Sequence, residues 1–169
     1  ESQNKSSYGI DNNAFVFASF GQSVKITESI FKIWMKLLKQ KASSILWLLE
    51  SNAQAKTNIL EFSEKKGVNP NRIKFAPKVS FQDHINRHSV VDLFLDTYPY
   101  NAHTSSSDAV WAGCPVLTLT GETFASRVAG SILKEVGCEM LITRNEDEYY
   151  QTALALSNDS AQLNNVREM

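Results

Sequence analysis

The chain of 169 residues is short of several residue types: two cysteines, three histidines, four prolines and seven glycines, with a formal net charge of -1. Each shortage excludes something. Cys114 and Cys138 sit apart among apolar neighbours and form no CxxC pair, so a disulfide scaffold is not indicated and buried, reduced thiols of a cytoplasmic protein fit better. A balanced charge gives no general basic field, which argues against a nucleic-acid partner held by bulk electrostatics. No apolar run reaches the roughly 18–20 residues of a membrane span, so no membrane partner is expected. Residues 1–13 are polar, lack the apolar core of a signal peptide and read as a linker rather than a natural start. There is no GxGxxG after the first strand, because Phe20-Gly21-Gln22-Ser23 supplies one glycine, and no GxSxG elbow for a serine hydrolase.

What is present is ordinary for one globular domain: 43% hydrophobic and 21% charged residues, in a chain long enough to bury a sizeable core. Apolar runs alternate with amphipathic ones. Strands are predicted at 14–20, 44–49, 72–75, 90–95, 115–119 and 140–142, and helices at 27–41, 52–66, 81–88, after His103, 123–136, 146–156 and 159–167. In the first helix, Ile30, Ile33, Trp34, Leu37 and Leu38 follow the spacing of one buried stripe. Such alternation with short connections implies right-handed βαβ crossovers, hence an α/β fold: a Rossmann-like parallel sheet flanked by helices over residues 14–169.

In an open sheet of this kind, ligands bind in the loops leaving the carboxyl ends of the strands. The stretch from Asp96 to Asp108 is such a loop, with a proline turn, His103 and a hydroxyl-rich helix start at Thr104 and Ser105. Unpaired N–H groups and the positive end of a helix dipole suit a phosphate there, although the same hydroxyls also suit plain N-capping. Asp108 falls one turn into the helix, where a carboxylate can accept from two ribose hydroxyls or simply favour the dipole. Gln22 and Lys25 lie in the loop after the first strand; the lysine could reach a phosphate or remain an exposed loop cation. His84 and His88 have the i, i+4 spacing of a metal pair, but Ile85 breaks the HExxH order and no further ligands cluster with them. A ring stacking on a base beside Arg87 is the better functional reading.

Leu95-Asp96-Thr97, Asn101-Ala102-His103-Thr104, Asp108-Ala109-Val110-Trp111-Ala112-Gly113-Cys114-Pro115-Val116 and Gly121-Glu122-Thr123-Phe124-Ala125-Ser126-Arg127-Val128-Ala129 together resemble the O-GlcNAc transferase (SPINDLY-type) family, glycosyltransferase family 41. Ile45-Leu46-Trp47-Leu48-Leu49, Asn71-Arg72-Ile73 and Val136-Gly137-Cys138 fall in the matching order. The resemblance implies the C-terminal half of a GT-B type glycosyltransferase that works without metal or cofactor. It implies donor binding, UDP-N-acetylglucosamine (UDP-GlcNAc) in the best-known members and GDP-fucose in some, for inverting transfer to serine or threonine of proteins. A nucleotide-binding module without activity is the reading from another class.

By position, the resemblance places Gln22 and Lys25 at the diphosphate, with Lys25 stabilising the departing UDP. It places the backbone near Val79, with His84 and Arg87, at the base, His103, Thr104 and Ser105 at phosphate, and Asp108 at the ribose. Three positions depart from the family pattern: Phe81 stands for a lysine of the animal enzyme, Ser105 for a threonine and Ser106 for a glycine. The acceptor protein is expected to bind through regions preceding this chain, a second Rossmann half and tetratricopeptide helices, so the chain alone is expected not to turn over.

Overall fold

The structure, a computed structural model, describes residues 4–169. Strands β1 (Phe15–Ser19), β2 (Ser44–Leu49), β3 (Ile73–Ala76), β4 (Leu93–Leu95), β5 (Val116–Leu119) and β6 (Ile142–Thr143) alternate with helices α1 (Glu28–Gln40), α2 (Ala53–Lys65), α3 (Phe81–Arg87), α4 (Thr104–Trp111), α5 (Val128–Glu135) and α6 (Glu146–Asn158), and α7 (Ser160–Glu168) follows. All strand pairs are parallel, in the order β3-β2-β1-β4-β5-β6. This is the doubly wound order, whose direction of winding reverses between β1 and β4. The central strands are buried along nearly their whole length, as expected of a parallel sheet covered on both faces.

The local chemistry behind the elements is visible. Thr27 caps α1 by accepting from the Ile30 N–H, and the predicted stripe of Ile30, Ile33, Trp34, Leu37 and Leu38 is buried. Each such side chain contributes about 1.5–3 kcal/mol on leaving water. α1 packs beside α6, where the Trp34 indole N–H donates to the Tyr149 hydroxyl at 3.1 Å. Tyr149 in turn donates to the Asp96 carbonyl at 2.9 Å, tying the helical layer to the end of β4.

Several boundaries differ from the sequence reading. Residues 1–3 of the expected linker lie outside the described residues, but 4–13 pack onto the domain. Asn4 caps a 3-10 turn at Lys5–Tyr8, Ile10 is buried, and Lys5 Nζ reaches the Asp92 carboxylate at 2.7 Å. Local polarity hid this, because the anchoring is by the side chains of Ile10, of Tyr8 on Trp47 and of Lys5 at Asp92, partners distant in sequence. β4 is shorter than predicted: a 3-10 turn takes His88–Val90, and Asp92 accepts the Val16 N–H with its carboxylate at 2.7 Å. The long helix at 123–136 divides at Arg127, because Thr123 and Ser126 close a capping box around a separate 3-10 turn. β6 begins two residues late, after a 3-10 turn at Glu139–Leu141.

Tyr149→Phe removes the hydroxyl from the Trp34–Tyr149–Asp96 chain and leaves two buried polar groups without that partner. Urea unfolding is expected to show a loss of about 1–3 kcal/mol with an unchanged m-value.

Candidate functional site

The loops after β1 and β4 meet at the point where the sheet reverses its winding. The organising group on the β4 side is Asp96, fully buried at the strand end. One of its carboxylate oxygens accepts the Thr97 and Ala102 N–H groups at 2.8 and 2.7 Å, and the other accepts the Thr118 hydroxyl at 2.6 Å. Asn101 adds a side-chain bond to the Thr97 carbonyl at 2.9 Å. The loop therefore closes into a knot over the sheet and delivers the chain to α4 in a fixed direction.

α4 starts at Thr104 with His103 as its N-cap, and no side chain caps it. Its first-turn N–H groups are left without the side-chain oxygen acceptor that the Thr27 hydroxyl or the Asn52 amide provides to α1 and α2. Ser106 turns its hydroxyl inward to the Ala102 carbonyl at 2.8 Å and is wholly buried, so it leaves the outer face of the turn unobstructed. Ser105 donates to the Phe20 carbonyl at 3.4 Å, which joins the first turn of α4 to the end of β1.

Lys25, on the 3-10 turn Ser23–Lys25, reaches across to this loop. Its ammonium donates to the Asn101 carbonyl at 3.3 Å and lies 4.4 Å from the centroid of the Tyr100 ring. Burial lowers its pKa, with Asp96 opposing the change. The Tyr100 ring also stacks on His103, centroids 5.2 Å apart at 22°, and His103 meets the edge of Phe124 at 6.3 Å. Lys25, Tyr100, His103 and Phe124 thus form one row along the phosphate-type helix start. Nε2 of His103 is buried with no partner among the described residues.

A second group lies between α3 and α4. Arg87 donates to the Pro77 carbonyl at 2.9 Å and also to His84 Nδ1, and its guanidinium covers the Phe20 ring at 4.5 Å. Because arginine only donates, Nδ1 of His84 accepts, and the ring proton sits on Nε2, 3.5 Å from an Asp108 carboxylate oxygen. Burial, aided by Arg87, lowers the His84 pKa and keeps the ring neutral. His88 is buried behind it, its Nδ1 donating to the His84 carbonyl at 2.8 Å, with a pKa pushed down to about 4 by desolvation. His88 is thus a core residue, and the i, i+4 pair shares an aromatic cluster with Phe20. Among the described residues no group of three or more His, Cys, Asp or Glu is placed to hold a metal ion.

The predicted residues fall into place unevenly. Lys25, His103, Thr104 and Ser105 converge on the α4 start, and His84, Arg87 and Asp108 form the neighbouring set. Gln22 is exposed and lines a separate cavity of about 670 Å³ with Gly21, Glu50, Asn52 and Lys78. Val79 and Phe81 stand on the rim before and at the start of α3, 46% and 67% exposed, with no side-chain bond to the others. Missed by sequence reasoning were Tyr100, Phe20 and Phe124, which shape the two groups, and the role of Asp96. Only the presence of Asp96 at a strand end signalled it. Gly121 is a further constraint: a Cβ there would lie 2.7 Å from Ser126 Oγ, so the loop carrying Phe124 needs glycine.

The doubly wound sheet and the two-loop cradle at its reversal define a Rossmann-like domain of the GT-B glycosyltransferase fold. WaaG, a glycosyltransferase of lipopolysaccharide biosynthesis, shares that fold with a TM-score of 0.70 at 17% identity, over 97% of this chain and 44% of that one. The chain belongs to glycosyl transferase family 41, whose model matches residues 2–169. It is 35% identical over 163 residues to the UDP-N-acetylglucosamine--peptide N-acetylglucosaminyltransferase of Caenorhabditis elegans, covering 96% of this chain and 14% of that protein. It superposes with a TM-score of 0.88 on a Thermobaculum terrenum O-GlcNAc transferase mutant, at 29% identity, over 94% of this chain and 31% of that chain. The chain thus spans a minor part of the length of each of these relatives.

Burial pushes the Asp96 carboxyl from 3.8 up to about 7, against the pull of its three hydrogen bonds and of Lys25. A carboxyl raised on folding takes up a proton, so its contribution to stability is present at low pH and is lost as pH rises through the folded value. Asp96→Asn keeps one oxygen for the two N–H donors and offers an NH₂ to Thr118 Oγ. Thermal unfolding of the wild type is expected to drop between about pH 4 and pH 7 by more than that of the variant, and to level off above the folded value; parallel curves would refute the assignment.

Proposed function

We propose that this chain is the donor-binding half of a protein O-GlcNAc transferase, taking UDP-GlcNAc and passing N-acetylglucosamine to serine or threonine hydroxyls with inversion. The observation that carries the reading is the convergence of Lys25 with the uncapped start of α4 across the β1–β4 reversal. A diphosphate seated there meets oriented N–H groups, a helix dipole and one ammonium, all aimed where negative charge grows as UDP departs. Lys25 is the catalytic residue in this reading. His103, Thr104 and Ser105 hold phosphate, and Gln22 approaches the diphosphate from the β1 loop.

On the nucleoside side, Asp108 accepts from the ribose hydroxyls. His84 Nε2–H holds that carboxylate in place, and Arg87 fixes the His84 tautomer from behind. The base lies along the Pro77–Ser80 backbone near Val79. The name of the worm relative supports UDP-GlcNAc as donor and peptide as acceptor, and that of the Thermobaculum relative supports O-GlcNAc transfer. The acceptor protein is held mainly by parts of the enzyme other than this chain, in the cytoplasm. No helix among the described residues is long and apolar enough to cross a membrane.

Titration calorimetry tests the donor reading. UDP is expected to bind the chain, and GDP more weakly. Lys25→Ala and Asp108→Ala are each expected to weaken UDP by about 10–100-fold, the loss of a charged hydrogen bond. Absence of UDP binding at millimolar concentration, or unaltered binding by both variants, would overturn it.

A further inference from the structure

We propose that the groove between α5 and β6 holds an acidic, extended segment of the protein acceptor. The groove has a volume of about 420 Å³ and is lined by Thr120, Arg127, Ser131, Lys134 and Arg144, with Glu139 its one carboxylate. Arg127, Lys134 and Arg144 are exposed, and none of them forms an ion pair among the described residues. A chain of net charge -1 thus gathers three unpaired cations on one recessed surface.

The spacing selects the occupant. Arg127 and Lys134 are seven residues apart along α5, about 10 Å at helical rise. A single phosphate cannot reach both, whereas carboxylates three residues apart on a chain extended in the polyproline II conformation share one face and lie about 9 Å apart. Arg144 faces the groove from the end of β6, the sheet edge, where a third carboxylate of such a segment would pair. The upper end of the groove leads to the donor cradle: Arg127 Nε donates to the Gly121 carbonyl at 3.1 Å, and Phe124 of the same loop meets His103. A segment lying in the groove is therefore directed toward the site of transfer. Its identity as part of an acceptor rests on the donor reading above.

The test is fluorescence anisotropy at low salt with a labelled peptide carrying glutamate at every third residue, its glutamine counterpart, and a single-stranded oligonucleotide. UDP calorimetry and thermal melting are run on the same preparations. The glutamate peptide is expected to bind, to weaken with salt and to outbind the glutamine peptide. Lys134→Glu/Arg144→Glu is expected to cost it at least about tenfold while leaving UDP binding and melting unchanged. Equal binding of the two peptides, an unaffected double variant, or tighter binding of the oligonucleotide would overturn the proposal. Peptide binding without UDP binding would keep the acidic groove and remove the donor reading, and UDP binding without peptide binding would do the reverse.

Discussion

The site depends on one buried carboxylate. Asp96 leaves β4 fully buried and satisfies two backbone N–H groups and one hydroxyl, so the loop that follows has essentially one way to close. That closure presents the Asn101 carbonyl to Lys25 and aims the first turn of α4 at the end of β1. The carboxylate also faces the Lys25 ammonium at longer range, which offsets part of the desolvation of both. Removing the charge from water is expensive, and the geometry it imposes on the loop is the compensation.

Around that knot, the two halves of the cradle are built differently. The proposed phosphate side is a row of a cation, two stacked rings and a third at their edge, in which the Tyr100 ring meets both Lys25 and His103. The proposed nucleoside side is a chain of directed hydrogen bonds, in which Arg87 donates to the Pro77 carbonyl and to His84, and His84 Nε2–H faces the Asp108 carboxylate. Phe20 belongs to both, since its ring supports Arg87 and His84 while its carbonyl receives Ser105. Phe20 therefore couples the two groups, by ring packing on one side and by a backbone hydrogen bond on the other.

The alternation of strands and helices was legible because long amphipathic elements such as α1 carry their own periodicity, and β2 was read to the residue. Lys25, His103 and Asp108 were legible as candidates because their residue types suit phosphate and ribose at a strand's carboxyl end. What was not legible depended on partners distant in sequence. The N-terminal turn is fixed by Lys5 to Asp92, and β4 is shortened by Asp92 taking the Val16 N–H. The pair His84 and His88 looked equivalent in the sequence, yet one faces Asp108 and the other is core, a division that only the packing of α3 on Phe20 decides. Tyr100 gave no signal in its proline turn.

The most direct measurement is a crystal structure of the chain with UDP. The expected result is a diphosphate on the N–H groups of Thr104 and Ser105, the Lys25 ammonium turned from the Asn101 carbonyl to a phosphate oxygen, and the ribose on Asp108. A nucleotide seated instead in the cavity beside Gln22 and Lys78, with Lys25 still on Asn101, would contradict the central claim.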